Sequence, residues 1–229
     1  MAELHALFEK YDRLVLFDTE TTGLLYPKDE IIEFAAVVVE RRQGKAQVVR
    51  QYDELVKLSP DGWISPKIQQ LTGISNEDVA QRGIEKQQLC RDIGDMIAGN
   101  TLLLAYNAHF DLSFLFYLLL HDGDPSILRG KDKLDLYTVF KDRRSYPHKL
   151  CNAIEAYGLS DQVVNSHRAV DDVIATFAVM QAMEAERDDL HRYINLFGYN
   201  PQYGVDGKPI GSVTYKPQYY DYSVPLYET

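Results

Sequence analysis

Residues 13–40 read RLVLFDTETTGLLYPKDEIIEFAAVVVE. Arg13 to Asp18 is a short apolar run ending in a polar turn, the pattern of a buried strand. Ile31 to Glu40 predicts a second strand and Gln47 to Leu58 a third, with a hairpin turn over Arg41–Lys45 between them. A segment rich in Pro, Ser and Gly follows, and Pro66 opens a short helix that Gly73 ends. Ser75 with Asp78 three residues later forms a capping-box pattern. Beyond it the pattern predicts a helix over 84–97, a fully buried strand over 101–106 and an amphipathic helix over 108–121. A fifth strand over Leu134–Phe140, a helix over 149–157 stopped by Gly158, and a long helix over 170–186 complete the series. Three strands followed by alternating helices and strands give an α/β fold class, a mixed sheet flanked by helices. No internal repeat occurs at a fixed period.

Composition bounds the rest. A chain of 229 residues can bury one well-packed core, and 45% hydrophobic with 25% charged residues is ordinary for a globular protein. The longest apolar stretch, Phe114–Leu120, is too short to span a membrane. Met1–Lys10 carries Glu3 and Glu9 and lacks a basic region followed by an apolar one, so no signal peptide is expected. Cys90 and Cys151 are expected to be reduced core thiols in a cytoplasmic protein, and no Cys/His spacing suggests zinc. From Gly198 the composition shifts to Gly, Pro and Tyr, so residues 1–197 are expected to form one domain and 198–229 a C-terminal extension. Asp206-Gly207 predicts a hairpin turn there. The extension is expected to strap onto the domain surface. A second copy of the chain or another protein partner is the alternative, since Tyr is enriched in such contacts.

Four carboxylates stand where strand ends and helix starts would bring them together. Asp18 and Glu20 are two apart at the end of the first strand and project to one face. Asp111 follows the buried strand 101–106, in NAHFD at the start of a helix, and Asp172 lies on the last helix, in HRAVDD. Open α/β sheets put ligands at such positions. Clustered carboxylates repel unless a cation intervenes, and hard oxygen ligands suit Mg²⁺ or Mn²⁺. Two such ions about 3.5–4 Å apart would clamp the attacking and leaving oxygens of a phosphodiester. His167, five residues before Asp172, is suited to take a proton near pH 7. Taken singly, each of these residues reads equally well as a solvated or helix-capping group.

DTETTG at 18–23, NAHFD at 107–111 and HRAVDD at 167–172 together resemble the three exonuclease motifs of the DEDD superfamily. The histidine matches the DEDDh branch, which is similar to the proofreading subunit of bacterial DNA polymerase III. The other branch has a tyrosine four residues before the last aspartate, where this chain has Arg168. The resemblance spans Leu14 to about Met183 and implies a ribonuclease H-like fold with a five-stranded mixed sheet. It also implies 3′→5′ exonuclease activity on a single-stranded nucleic acid end, with two Mg²⁺ or Mn²⁺ ions. Carried over by position, Asp18, Glu20, Asp111 and Asp172 resemble the metal ligands and His167 the general base. Thr21, Thr22, Gly23 and Leu24 resemble the pocket for the terminal nucleotide, and Asn107 and Phe110 would help to position the strand. Where relatives often have a His-Gly-Ile stretch that contributes to the nucleotide pocket, this chain has Thr72-Gly73-Ile74, so Thr72 stands at the histidine position and could donate a hydrogen bond to the nucleotide there.

The net charge of −10 is unusual for a nucleic-acid binder. It fits a short, metal-mediated grip on a strand end, or a protein that binds no nucleic acid. Lys141, Arg143, Arg144, His148 and Lys149 form a basic cluster that is either a solvated loop or a contact for phosphates, and Arg168 offers the same contact. Single-stranded or frayed DNA is the expected substrate. The alternatives are an exoribonuclease or oligoribonuclease of the same fold, and a non-catalytic accessory subunit.

Overall fold

The computed structural model describes residues 4–199, 210–218 and 223–229. The strands are β1 (Arg13–Thr21), β2 (Ile31–Arg42), β3 (Lys45–Leu55), β4 (Thr101–Ala105) and β5 (Asp132–Asp135), and they form one sheet in the order β3-β2-β1-β4-β5. The helices are α1 (His5–Lys10), α2 (Pro66–Thr72), α3 (Asn76–Arg82), α4 (Lys86–Met96), α5 (Ala108–Asp122), α6 (Ser126–Arg129), α7 (Leu136–Arg143), α8 (Leu150–Ala156) and α9 (Ala169–Glu186). The first three strands pair antiparallel and β1, β4 and β5 pair parallel, so the sheet is mixed, as expected.

The alternation of side chains in β1 sorts two cores. Leu14 and Leu16 join Ala35, Val37, Leu102 and Leu104 beneath α7, α8 and α9. Val15 and Phe17 join Phe34, Ala36, Val38 and Leu103 beneath α4 and α5. Helices on both faces explain why Ile31–Val39 is buried without a break, since no strand face is left to water. The β2–β3 hairpin turns through Gln43 and Gly44, both at positive φ (52° and 80°), as a two-residue turn requires. The capping box at Ser75 and Asp78 forms and opens α3, and Gly73 takes the left-handed conformation that ends α2.

Two expectations are corrected. Leu134–Phe140 is not a strand: β5 ends at Asp135, and Leu136–Arg143 is α7. The Asp135 carboxylate accepts from the backbone N–H groups of Tyr137 and Thr138 and from the Thr138 hydroxyl, an N-cap that overrides the strand preference of Tyr, Thr, Val and Phe. Cys90 is buried, but Cys151 is exposed on α8, so only one of the two cysteines is a core thiol.

After α9 the chain crosses to β6 (Leu196–Tyr199), which pairs parallel with β7 (Thr214–Pro217). The Asp206-Gly207 turn lies outside the described residues. Part of the extension packs on the domain, where Ile210 and Leu226 are buried. The main tie is Lys133 on β5, fully buried, whose ammonium donates to the carbonyls of Leu128 (2.7 Å), Lys131 (2.9 Å), Ile210 (2.9 Å) and Gly211 (3.1 Å). Burial pushes this amine down to about 8, partly offset by the charge of Asp132. Tyr215 adds a second tie, its hydroxyl 2.7 Å from His109 Nδ1 on α5.

Lys133→Met removes the donor and leaves these buried carbonyls without it, a cost of roughly 2–3 kcal/mol. The expected outcome is a melting temperature about 5–10 °C lower and faster proteolysis after residue 198. Calorimetry and limited trypsin digestion check both, and an unchanged digestion pattern would remove Lys133 as the tie.

Candidate active site

The even-numbered positions of β1 that bury Leu14 and Leu16 continue to Asp18 and Glu20, so both carboxylates point to the α9 face. Asp18 pairs with Ala35 and Glu20 with Glu33, and a register slip at Glu20/Thr21 ends regular pairing there. Asp111 arrives from the other layer, in the first turn of α5. It is buried, and its Oδ1 accepts from Thr19 N (2.9 Å) and Thr19 Oγ1 (2.7 Å), which locks it to β1. Asp172 comes from the first turn of α9 and is also buried. Three elements remote in sequence thus bring four carboxylates to one end of the sheet.

Two bordering residues adopt the left-handed conformation that non-glycine residues rarely take. Asn107, the N-cap of α5, has φ 66°, and His167, just ahead of α9, has φ 58°. Such backbone costs of order 1–3 kcal/mol and clusters at functional sites. Ligand atoms of Glu20, His167 and Asp172 all lie within 4.8 Å of one another, a spacing that suits a shared cation. Asp18 and Asp111 stand outside that set.

The electrostatics are those of crowded acids. Burial and then the charges of Asp111, Asp172, Glu20 and Glu33 raise the Asp18 carboxyl well above the usual carboxylate range. Burial, followed by Asp172, Glu33 and Asp111, pushes Glu20 up to about 8, partly offset by Arg168. Burial also raises Asp111, against the hydrogen bonds from Thr19, and raises Asp172, against Asn165 and His167. Asp172 Oδ1 is buried with no hydrogen-bond partner. A buried, partnerless carboxylate oxygen among raised acids is an arrangement that a divalent cation relieves, and the hard oxygen donors fit one.

The loop from Thr21 is tightly closed. Thr21 Oγ1 donates to Gly23 O (2.6 Å), and Thr22 exchanges bonds with Glu30 through its amide (2.9 Å) and hydroxyl (3.0 Å). The Asp29 carboxylate accepts from Leu25 N (2.7 Å) and crowds Gly23, where a Cβ would come within 2.4 Å of it. Only glycine fits that position without moving Asp29. Leu24 is then presented to solvent, 78% exposed, and Asn107 is also exposed. Phe110 is half-buried against Phe114, with ring centroids 4.9 Å apart.

Some residues singled out in the sequence serve other ends. Thr72 is buried, and its hydroxyl donates to Ile68 O (3.0 Å) and accepts from Ile74 N (3.1 Å), so the hydrogen bond expected for a nucleotide is spent closing α2. Most of the basic cluster is engaged within the fold, while Lys149 is exposed. Lys141, Arg143 and His148 are buried, Arg143 pairs with Asp189 and Glu186, and Arg144 pairs with Glu186. Arg168 is bound to Glu33, which sequence reasoning missed. Its signal was there: in IIEFAAVVV a lone acid two positions before Ala35 shares the face of Asp18 and Glu20.

With the geometry in place, comparisons fix the family. The model of the Exonuclease family, RNase_T, matches residues 15–180. DNA polymerase III subunit epsilon of Treponema pallidum is 30% identical over 179 residues, covering 75% of this chain and 78% of that protein. DNA polymerase III PolC-type of Bacillus subtilis is 31% identical over 185 residues, but the match takes in only 12% of its length. Among solved structures, E. coli Exonuclease I bound to a dA16 oligonucleotide superposes with a TM-score of 0.69 at 21% identity, over 80% of this chain and 42% of that one. A zinc-bound form of the same enzyme with single-stranded DNA gives 0.67 at 19% identity. These structural likenesses establish the ribonuclease H-like fold. With its motif-bearing strands and helices inside the matched span, the chain belongs to the exonuclease family.

Proposed function

We propose that the protein is a metal-dependent 3′→5′ exonuclease that hydrolyses the terminal phosphodiester of single-stranded or frayed DNA and releases nucleoside monophosphates. The observation that carries this reading is that ligand atoms of Glu20, His167 and Asp172 lie within 4.8 Å of one another around a buried, partnerless carboxylate oxygen, with Asp18 in electrostatic contact with Glu20, Asp111 and Asp172. The four carboxylates would hold two Mg²⁺ or Mn²⁺ ions. When bound, such ions offset the charge of the phosphate and of the attacking and leaving oxygens.

The chain's own residues supply the rest. His167, exposed beside Glu20 and Asp172, takes a proton from the attacking water. Glu20 reaches the terminal 3′-hydroxyl. Thr21, Thr22, Gly23 and Leu24 form the terminal-nucleotide pocket, with the rigid closure of that loop setting its shape. Asn107 and Phe110 position the strand. Thr72, its hydroxyl already engaged, takes no part. The DNA polymerase III relatives favour DNA over RNA. The same 4.8 Å set supports a second role for His167, as a ligand to one ion.

Two outcomes are expected. A 5′-labelled single-stranded DNA oligomer shortens stepwise from its 3′ end with Mg²⁺ or Mn²⁺, and the ladder disappears with EDTA and in Asp18→Ala. A parallel RNA oligomer tests the exoribonuclease alternative. Failure of the wild-type protein to cleave either polymer, or internal cutting, would sink the proposal. His167→Ala lowers kcat about 10²–10⁴-fold at saturating metal if it is the base. As a ligand it would instead raise the metal concentration needed for half-maximal rate.

The raised acids give a second, activity-free prediction. Between pH 4.5 and about 8 folded Glu20 keeps a proton that the unfolded chain has lost, so stability falls as pH rises through that window. Mn²⁺ is therefore expected to raise the melting temperature more at pH 8 than at pH 5. In EDTA at pH 8, Asp18→Asn is expected to melt above wild type and to lose most of the Mn²⁺ response. Equal Mn²⁺ shifts at both pH values would contradict this.

A further inference from the structure

We propose that Glu33 is a positioning residue for the hydrolytic site: through Arg168 and the Ala169 amide it anchors the start of α9 to β2, and so sets His167 and Asp172 against the carboxylates of β1. The activity arm of this inference rests on the exonuclease reading above; the structural arm does not.

Glu33 is fully buried and sits directly across from Glu20 in the antiparallel pair. Like charges in that arrangement destabilise a sheet, and burying a carboxylate is costly unless it is paired and hydrogen-bonded. Glu33 meets both conditions through one partner element. Its Oε1 accepts from Arg168 Nε (2.8 Å) and from Arg168 Nη2, and its Oε2 accepts from Ala169 N (2.8 Å). The fork geometry of the guanidinium makes this a rigid contact.

No local side chain caps α9. Arg168 occupies the N-cap position without a side-chain hydrogen bond to the helix, and the acceptor comes from β2, 136 residues earlier in the chain. A Ser, Thr or Asp at position 168 would cap the helix at lower cost. Such a cap would leave the helix end unattached to the sheet. The strand-borne cap ties the two together.

The tethered residues adjoin the chemistry. Asp172 N donates to Arg168 O (3.1 Å), so Asp172 sits one turn above the anchored residue. His167 directly precedes Arg168 and holds its left-handed backbone, which fixed neighbours must maintain. A shift of about 1 Å at reacting groups can cost on the order of 10²-fold in rate, so an anchor at this point acts on turnover rather than on substrate affinity.

The test compares Glu33→Gln, Arg168→Gln, the double variant and Arg168→Lys with wild type. The readouts are kcat and KM on the labelled DNA oligomer, and amide hydrogen exchange over residues 168–173. Glutamine at 33 keeps an acceptor for Arg168 but turns its NH₂ toward the Ala169 N–H, so the cap is lost. Glu33→Gln is expected to lower kcat about tenfold or more with KM within about twofold, and to speed exchange at 169–172. Arg168→Gln is expected to act in the same direction, and the double variant to be no worse than the weaker single. Arg168→Lys is expected to fall between wild type and Arg168→Gln.

Wild-type kcat and exchange in Glu33→Gln overturn the proposal, as do additive losses or a change confined to KM. If Glu33→Gln does not fold, Arg168→Gln decides, because that side chain is 42% exposed. If wild type cleaves neither polymer, the exonuclease reading fails, and exchange over 168–173 alone tests the anchor.

Discussion

Mutual repulsion among buried carboxylates at the end of β1 is the constraint around which this molecule is arranged. Burial raises Asp18 and Glu20, and the neighbouring charges of Asp172, Asp111 and Glu33 raise both further. A sheet end with five acids is an expensive place to fold. The structure meets the cost in two ways: Glu33 is neutralised by Arg168 and the α9 amide, and Asp111 is held by Thr19. Asp18 and Glu20 are left without such partners, and Asp172, although Asn165 and His167 favour its charged form, keeps Oδ1 without a hydrogen bond. The unmet charge is therefore concentrated on groups suited to a divalent cation: Glu33 and Asp111 are tied into the fold, while Asp18, Glu20 and Asp172 are less fully paired.

The chain's net charge is −10, and several of its cations are engaged inside the fold. Cations that looked like a phosphate contact in the sequence are consumed internally. Arg143 and Arg144 tie α7 to the end of α9, and Arg168 serves Glu33. On the proposed exonuclease reading, a short-range grip on a strand end through metals would need no broad basic face, unlike tracking along duplex DNA.

Much of this was legible before the structure. Strand alternation in RLVLFD and spacing in HRAVDD placed Asp18, Glu20 and Asp172 on converging elements, and local signals at Gly73, Ser75–Asp78 and Gly158 fixed helix ends. What failed was non-local. The run LYTVF has strand-like composition, but Asp135 caps it into a helix, and the 3–4 spacing of Leu136, Val139, Phe140 and Arg143 becomes decisive only once a core lies beneath it. Thr72 resembled a pocket residue because position in a motif says nothing of where a hydroxyl spends its proton. Glu33 was invisible as an anchor because its partners lie 135 residues away. Local patterns are written in neighbouring residues, while buried charge pairs are written in the fold.

The Lys133 cage has a consequence for how the protein is made. Two of its four carbonyls, from Leu128 and Lys131, leave the ribosome with it, while those of Ile210 and Gly211 follow almost 80 residues later. Until then the ammonium has two acceptors for three N–H donors, and until residue 195 is made the β5 edge lacks Asn195, whose amide and side chain pair with Lys133. The growing chain thus carries an open strand edge until Asn195 is made, and an under-coordinated cation until Ile210 and Gly211 are. The contacts that complete the surroundings of β5 come from residues 62 to 78 positions further along the chain.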